Sequence, residues 1–445
     1  MRVYFTIDID QKRSLAGASR LKSWGWAFRI AGAVTLVASM IALCGRQGVL
    51  GWPFLGGDMT NHLGAEYDNI AQAMVRGDGF ADPFGRGDGP TGWMPPLLPS
   101  VLYVFYWVGD GQREWVVGLV RLLQPASLFL CLTIVLQPFA NTTRRWWVAT
   151  IALLAVLSNL HYLLQLSHDH VLLMPMVTCI WWNLSRTWTV KVQPITEVTR
   201  GIAGGMVALA SPVIAFSWAI LTVFRIGIRP VLMCSALASI FVVCPWIVRN
   251  RIELGNWTPV KSNSAYELYQ AQAVDDDGVF DLSTCRTHPY AKNSQDAELY
   301  TELGERAFLI HKADIFWRDV RSRPGRWVRR TIHRGLAATV YPAPFDESHR
   351  IRILARLGGW CFALASCGSV VFILRSKWSE LPDSVRIAIS LWGLILLPYV
   401  LVSFYQRYAI PLFPLQIFLI GYAVTDEPNG RTDNNTPSER KDLAF

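Results

Sequence analysis

Residues 26–44 read WAFRIAGAVTLVASMIALC, with a single charge, Arg29, in the whole run. A helix rises 1.5 Å per residue, so such a run is about as long as a bilayer's hydrocarbon core is thick. Runs of the same kind recur at about 95–109, 116–140, 146–165, 170–186, 201–226, 228–248, 354–375, 386–403 and 408–424. Of the 445 residues, 52% are hydrophobic and only 17% charged, where soluble domains carry about 25% charged residues. Mean hydropathy is +0.27. The 19 tryptophans suit a chain with two lipid interfaces, where indole rings concentrate. The sequence therefore predicts an all-α polytopic membrane protein.

Lys12, Arg13, Arg20 and Lys22 precede the first run. The run is read as a retained anchor behind a cytoplasmic N-terminus, residues 1–24, and no cleavable signal peptide is expected. The net charge of +9 sits mostly beside apolar runs, the positive-inside pattern, which also suits anionic lipid heads. No basic–aromatic RNA motif accompanies it, so nucleic acid is not an expected partner. Cys131, Cys179, Cys234, Cys244, Cys361 and Cys367 lie in apolar runs, with only Cys44 and Cys285 near or in the polar stretches. That is neither a disulfide framework nor a metal-ligand spacing.

Two polar stretches, about 45–94 and 249–353, interrupt the apolar pattern. If every run crossed, Arg144 and Arg145 would lie outside and the His168-Asp169-His170 turn inside, against the positive-inside rule. Two adjustments restore it. The short run 95–109, opening on Met94-Pro95-Pro96, is placed in the outer interface without crossing. The run 201–226 is broken at Ser211-Pro212, because proline removes a backbone donor and broken helices need protein or a cavity to satisfy the freed groups. Arg186, Lys191, Arg200, Arg225, Arg229, Arg375 and Lys377 then fall inside, with about ten crossings. The resulting map has a membrane domain at 25–248 with external loop 45–94, a mainly helical external subdomain at 249–353, C-terminal membrane helices at 354–425, and a disordered cytoplasmic tail at 426–445.

Within the first loop, Tyr67, Ile70, Ala71 and Met74 follow helical spacing, predicting an amphipathic helix over 65–76 that ends at Gly77 and Gly79. Glu66 stands at its start, where an acid is favoured at a helix N-terminus in any case. Gly89-Pro-Thr-Gly-Trp-Met-Pro-Pro96, with Trp93 and Pro95, reads as a stiff entry to the interfacial helix or as a plain re-entry turn. His168, Asp169 and His170 form an ionisable cluster at a helix end. Two histidines on one turn are too few for a metal site. Asp275-Asp276-Asp277 reads as a solvated loop. Arg249 in Pro245-Trp-Ile-Val-Arg-Asn250, Arg251, and Arg407 in Tyr405-Gln-Arg-Tyr-Ala-Ile-Pro411 would all lie outside, where they are either interfacial anchors or partners of a phosphate.

These pieces, in this order, resemble the GT-C superfamily of membrane glycosyltransferases that use polyprenyl-phosphate sugars, among them the protein O-mannosyltransferases, the lipid A aminoarabinose transferases and uncharacterised bacterial cousins. The pieces are Glu66 with Ile70-Ala71, Gly77-Asp-Gly-Phe80, Pro90-Thr-Gly-Trp-Met-Pro-Pro96, Pro245-Trp-Ile-Val-Arg-Asn250, Glu267-Leu268 and Arg407-Tyr408-Ala-Ile-Pro411. The resemblance implies a GT-C-like fold, with Glu66 as general base on the acceptor and Asp58 in reserve. It also implies Asp169 as a second acid and Arg407 on the lipid phosphate. Tyr67, Trp93, Pro95, His168, His170, Arg249, Asn250, Glu267 and Tyr408 are the accompanying substrate-binding candidates. Departures are Glu66 where relatives usually carry Asp, Gly92 for Ala, and Ser264-Ala265-Tyr266 before Glu-Leu. The implied partners are a polyprenyl-phosphate-linked sugar, membrane lipids and an envelope lipid, polysaccharide or protein acceptor. The implied place is the bacterial cytoplasmic (inner) membrane, with the active site facing outward. No cofactor is required on this reading, although a divalent metal is compatible with it. A transporter or flippase for a lipid-linked glycan, and a non-catalytic assembly subunit, are the alternatives.

Overall fold

An apolar chain in lipid must satisfy its backbone groups internally, which leaves the helix as the local solution. The computed structural model follows this rule. It describes residues 9–46, 63–164, 169–186, 194–227, 232–274, 277–280, 282–291, 293–340 and 352–425. The expected disordered tail at 426–445 lies outside the described residues. The helices are α1 (Ile9–Arg46), α2 (Ala65–Arg76), α3 (Leu97–Val108), α4 (Arg113–Leu136), α5 (Arg145–Ser158), α6 (Leu160–Leu164), α7 (His170–Ser185), α8 (Pro194–Ala210), α9 (Pro212–Ile226), α10 (Leu232–Leu254), α11 (Ser264–Tyr269), α12 (Leu282–Thr287), α13 (Gln295–Ser322), α14 (Pro324–Thr339), α15 (Arg352–Ile373), α16 (Asp383–Leu401) and α17 (Phe413–Thr425). Among the described residues, β-type pairing is confined to two isolated bridges, Ala81 with Pro90 and Val279 with Phe404.

Five of these helical stretches are long and apolar enough to cross a bilayer: Lys22–Leu43, Arg113–Phe139, Leu232–Leu254, Asp383–Leu401 and Arg407–Thr425. The runs 95–109, 146–165, 170–186 and 201–226 form shorter helices, and 354–375 forms the 22-residue α15. The run 146–165 breaks at Asn159 into α5 and α6. Helix α3 has 12 residues, about 18 Å, too short to cross and a length that suits an interfacial position.

The break at Ser211-Pro212 is present. Ser211 takes an extended conformation, its Oγ accepts from the Ile214 N–H at 3.5 Å, and Pro212 opens α9. The helix before the break differs from the apolar pattern. It starts at Pro194 and runs 17 residues, not from 201. Glu197 and Arg200 explain the difference: hydropathy marks them as a boundary, but Arg200 donates to Glu197, whose other oxygen accepts from Ser235 Oγ at 2.6 Å. A paired, hydrogen-bonded charge can be buried where a lone one cannot. The same helix carries Gly201 and Gly205 one turn apart against α10. A Cβ on Gly201 would stand 2.2 Å from the Ser235 carbonyl oxygen, and one on Gly205 2.6 Å from Val242 Cβ. This is the small-xxx-small contact that lets membrane helices approach closely.

The described parts of the two polar stretches fold onto each other. Leu63, Tyr67, Ile70, Phe84 and Trp93 from the first share a core with Tyr266, Tyr300 and Phe308 from the second. Helix α13 bends at Gly304, whose φ of 74 takes it out of helical geometry. The next residue, Glu305, accepts from Thr91 Oγ1 at 2.5 Å, Gly92 N at 3.0 Å and Ser262 Oγ at 2.7 Å. Both stretches therefore lie on one side of the helical layer. From the basic run of α14, Arg330 and Arg334 are buried. Arg330 donates to the Gln272 carbonyl, and Arg334 Nε donates to Val400 O at 2.7 Å. Arg334 thus ties α14 to the end of α16, and Arg330 ties it to the turn after α11.

Candidate functional site

Helix α2 brings two acids to its first turn, Glu66 and Asp68. Gly64 holds the N-cap position, no side chain caps the helix, and Glu66 stands in the first turn as its position predicted. Asp68 faces the protein. It accepts from Tyr106 OH at 2.7 Å and pairs with Arg113 at 3.2 Å. Glu66 faces the other way, into a cleft of about 210 Å³.

The cleft gathers residues from distant parts of the chain. Tyr67 and Pro95 come from the first polar stretch, Asp169 from the start of α7, and Lys261, Glu267 and His288 from the second stretch. Arg407 and Tyr408 come from the 3-10 turn Gln406–Leu412 before α17. Tyr67 OH donates to Asp169 Oδ2 at 3.3 Å. Burial, then the charge of Asp169, raises the Tyr67 pKa well above the usual phenol value, so the hydroxyl stays a neutral donor. Arg407 lies over the Tyr405 and Tyr408 rings, 5.1 and 5.6 Å from their centroids, within electrostatic reach of Asp169 and Tyr67. Glu267 takes Lys261 Nζ at 2.8 Å and Tyr408 OH at 3.5 Å. Tyr408 stacks on Tyr399 at 4.4 Å. His288 Nε2 stands 3.7 Å from Glu66 Oε1. Burial lowers the His288 pKa even though Glu66 opposes the shift. Among the described residues, no three His, Cys, Asp or Glu side chains are grouped so as to hold a metal ion.

An apolar groove of about 780 Å³ opens between α7, α8 and α9, lined by Leu172, Met176, Ile180, Met206, Val207 and Trp218 among others. A narrow pocket lies between groove and cleft. It shares Tyr67, Pro95, Asp169 and Ala210 with the cleft and Leu172 with the groove.

No protein-family model matches the chain, and no curated protein matches it. Two solved structures are similar to it. One is ArnT from Cupriavidus metallidurans bound to undecaprenyl phosphate, with 16% identity over 90% of this chain and 78% of that chain, at a TM-score of 0.37. The other is ArnT from the same organism in the apo state, with 17% identity over 90% and 77% of the two chains, at a TM-score of 0.36. ArnT is an aminoarabinose transferase, one of the groups that the sequence motifs resemble. A TM-score this low gives no helix-by-helix correspondence, and the functional reading rests on the cleft itself.

Of the candidates named from sequence, Glu66, Tyr67, Pro95, Asp169, Glu267, Arg407 and Tyr408 line the cleft, and Trp93, Arg249, Asn250 and His170 do not. Trp93 is fully buried in the aromatic core behind it. Arg249 donates to the backbone carbonyls of Thr91 and Phe80, both at 2.6 Å. Its partners here are two carbonyls of the folded first loop. Asn250 is buried and donates to Thr258 O at 3.0 Å. His170 is buried. Asp58, His168, Asp275 and Asp276 lie outside the described residues, and Asp277 is exposed beside His333 at 3.7 Å. Lys261, His288 and Tyr399 line the cleft without having been singled out. Lys261 offered a signal, as a cation between the Arg-Asn and Glu-Leu motifs. His288 offered none, since it sits in a polar stretch without periodicity and only the fold brings it to Glu66.

Proposed function

We propose that this chain is a membrane glycosyltransferase that moves a sugar from a polyprenyl-phosphate carrier to an acceptor hydroxyl. The observation that carries the reading is the convergence of Glu66, Asp169 and Arg407 on one cleft, with an apolar groove beside it. The carrier needs a cation for its phosphate, an apolar path for its chain, and a carboxylate near the reacting carbon. In the proposed step the acceptor oxygen attacks the anomeric carbon, and its proton passes to the Glu66 carboxylate. The bond from that carbon to the phosphate oxygen breaks, and the electron pair leaves with the lipid phosphate. Arg407 stabilises the charge that grows there. Asp169 holds Tyr67 by its hydroxyl and keeps Arg407 directed into the cleft. The groove takes the first isoprene units. The products are a glycosylated envelope lipid, polysaccharide or protein and the free polyprenyl phosphate. The cleft is assigned to the external face of a bacterial cytoplasmic membrane, with the basic residues of the opposite loops inside.

The test is Glu66→Gln in membrane-inserted protein, assayed with radiolabelled polyprenyl-phosphate hexoses and pentoses. A positioned base contributes on the order of 10²–10⁴-fold, so transfer is expected to fall by at least about 100-fold while donor binding persists. Full activity in this variant would end the assignment. The interrupted helix at Ser211-Pro212, which lines the cleft, is the feature that favours the transporter reading. Translocation of labelled carrier without glycosidic turnover would favour that rival.

A further inference from the structure

The transfer scheme gives His288 no part, yet the fold defines both of its ring nitrogens. Nδ1 accepts the backbone N–H of Tyr290 at 3.1 Å. A ring nitrogen that accepts carries no proton, so the neutral ring has its hydrogen on Nε2. Nε2 is the nitrogen that faces Glu66 Oε1, 3.7 Å away. The ring cannot easily turn, because Phe84, Trp93 and Tyr266 stand edge-on to it at 5.9, 6.1 and 5.3 Å.

The surrounding charges are Glu66, Asp296 and Glu267, which favour the protonated ring, and Arg407, which opposes it. Burial outweighs the three acids and keeps the ring neutral at working pH. A neutral donor can hold a carboxylate in place without forming the ion pair that would quench its basicity. A separation of 3.7 Å is longer than a hydrogen bond, and catalytic hydrogen bonds are often long before substrate enters and tighten in the complex.

We propose that His288 is a positioning residue for Glu66: its Nε2–H holds one carboxylate oxygen so that the other is presented to the acceptor hydroxyl. This rests on the reading of Glu66 as the base. His288→Phe keeps an aromatic ring in the box and removes the donor. His288→Gln places an amide N–H near the position of Nε2.

Both variants of the full chain are measured in native membranes, which supply the acceptor, with the same radiolabelled polyprenyl-phosphate hexoses and pentoses as donors. His288→Phe is expected to lower kcat by about 10–100-fold, the scale of a misplaced catalytic group, with the donor KM unchanged. The acid limb of its kcat–pH profile is expected to move to higher pH, because a donated hydrogen bond favours the ionised carboxylate. His288→Gln is expected to keep the wild-type profile and most of kcat.

Wild-type kcat and acid limb in His288→Phe, with Glu66→Gln inactive, would overturn this proposal and leave the base reading standing. Equal losses in both variants with an unmoved limb would reduce the ring to a packing element and also overturn it. Full activity in Glu66→Gln removes the base reading and this proposal with it. Should His288→Phe not fold, ¹⁵N spectra of histidine-labelled wild-type protein, assigned with His288→Gln, decide. A neutral Nε2–H ring at pH 7 supports the proposal, and a Nδ1–H or doubly protonated ring overturns it.

Discussion

Glu66 and Asp68 stand two residues apart at the start of α2 and meet opposite environments. Asp68 is closed in by Tyr106 and Arg113, whereas Glu66 opens on the cleft with a histidine at its side. Two residues, about 200° around the helix, thus separate a structural acid from a candidate base, and the helical period puts them on opposite faces. Arg407 is the counterpart at the far wall. Its planar fork can hold a phosphate by two parallel bonds, which a lysine cannot do. Arg407→Lys keeps the charge and loses the fork, so the donor KM is expected to rise about tenfold, equivalent to roughly 1.4 kcal/mol. Titration of transfer against donor concentration measures this. An unchanged KM would place the phosphate elsewhere. Glu66 was legible from its spacing to Ile70-Ala71, and Arg407 from a cation on the wrong side of the membrane. Arg249 carried the same signal, and its partners turned out to be two backbone carbonyls of the loop it closes. Charge and side of membrane cannot tell a phosphate from a carbonyl.

At the scale of elements, the α8–α10 pair sets the wall behind the apolar groove. Gly201 and Gly205 allow the two backbones to meet, and Ser235 oxygen bonds to Glu197 close the contact at its polar end. A valine at 201 would drive Cβ into the Ser235 carbonyl. Gly201→Val is expected to destabilise the protein by about 1–3 kcal/mol, the range for overpacking, read as a lower melting temperature in detergent. No change in melting would mean that the helices can part freely. The break at Ser211-Pro212 was legible from its proline and from the sides expected for the flanking arginines, whereas Pro125, Pro175, Pro245 and Pro398 stand inside helices that continue. The start of α8 at Pro194 was not, because Glu197 and Arg200 look like a membrane boundary until their pairing is seen. The second polar stretch was legible as helical but not in its packing, since the kink at Gly304 and the reach of Glu305 to the first stretch depend on contacts far apart in sequence.

For the whole molecule, the shared core of the two polar stretches requires an even number of crossings between them. The six apolar runs between them give that parity with or without an interfacial 95–109 and a broken 201–226, and those two adjustments change the sides expected for the Arg144-Arg145 and His168–His170 turns. Single cysteines at Asp78 and Glu298, both exposed, in a background without the eight native ones, are expected to react together with a membrane-impermeant maleimide from outside intact cells. Labelling of one from outside and the other only after lysis would break this topology. What neither pattern nor parity could supply is the meeting of α2, the start of α7 and the turn before α17 around one cleft, on which the functional claim stands. A structure of the full chain in lipid nanodiscs with polyprenyl phosphate bound tests that claim most directly. The account predicts the phosphate against Arg407, the lipid chain in the groove between α7 and α9, and Glu66 facing the same cavity. A phosphate bound elsewhere, such as on the exposed arginines of α13 and α14, or Glu66 and Arg407 facing separate cavities, would contradict it.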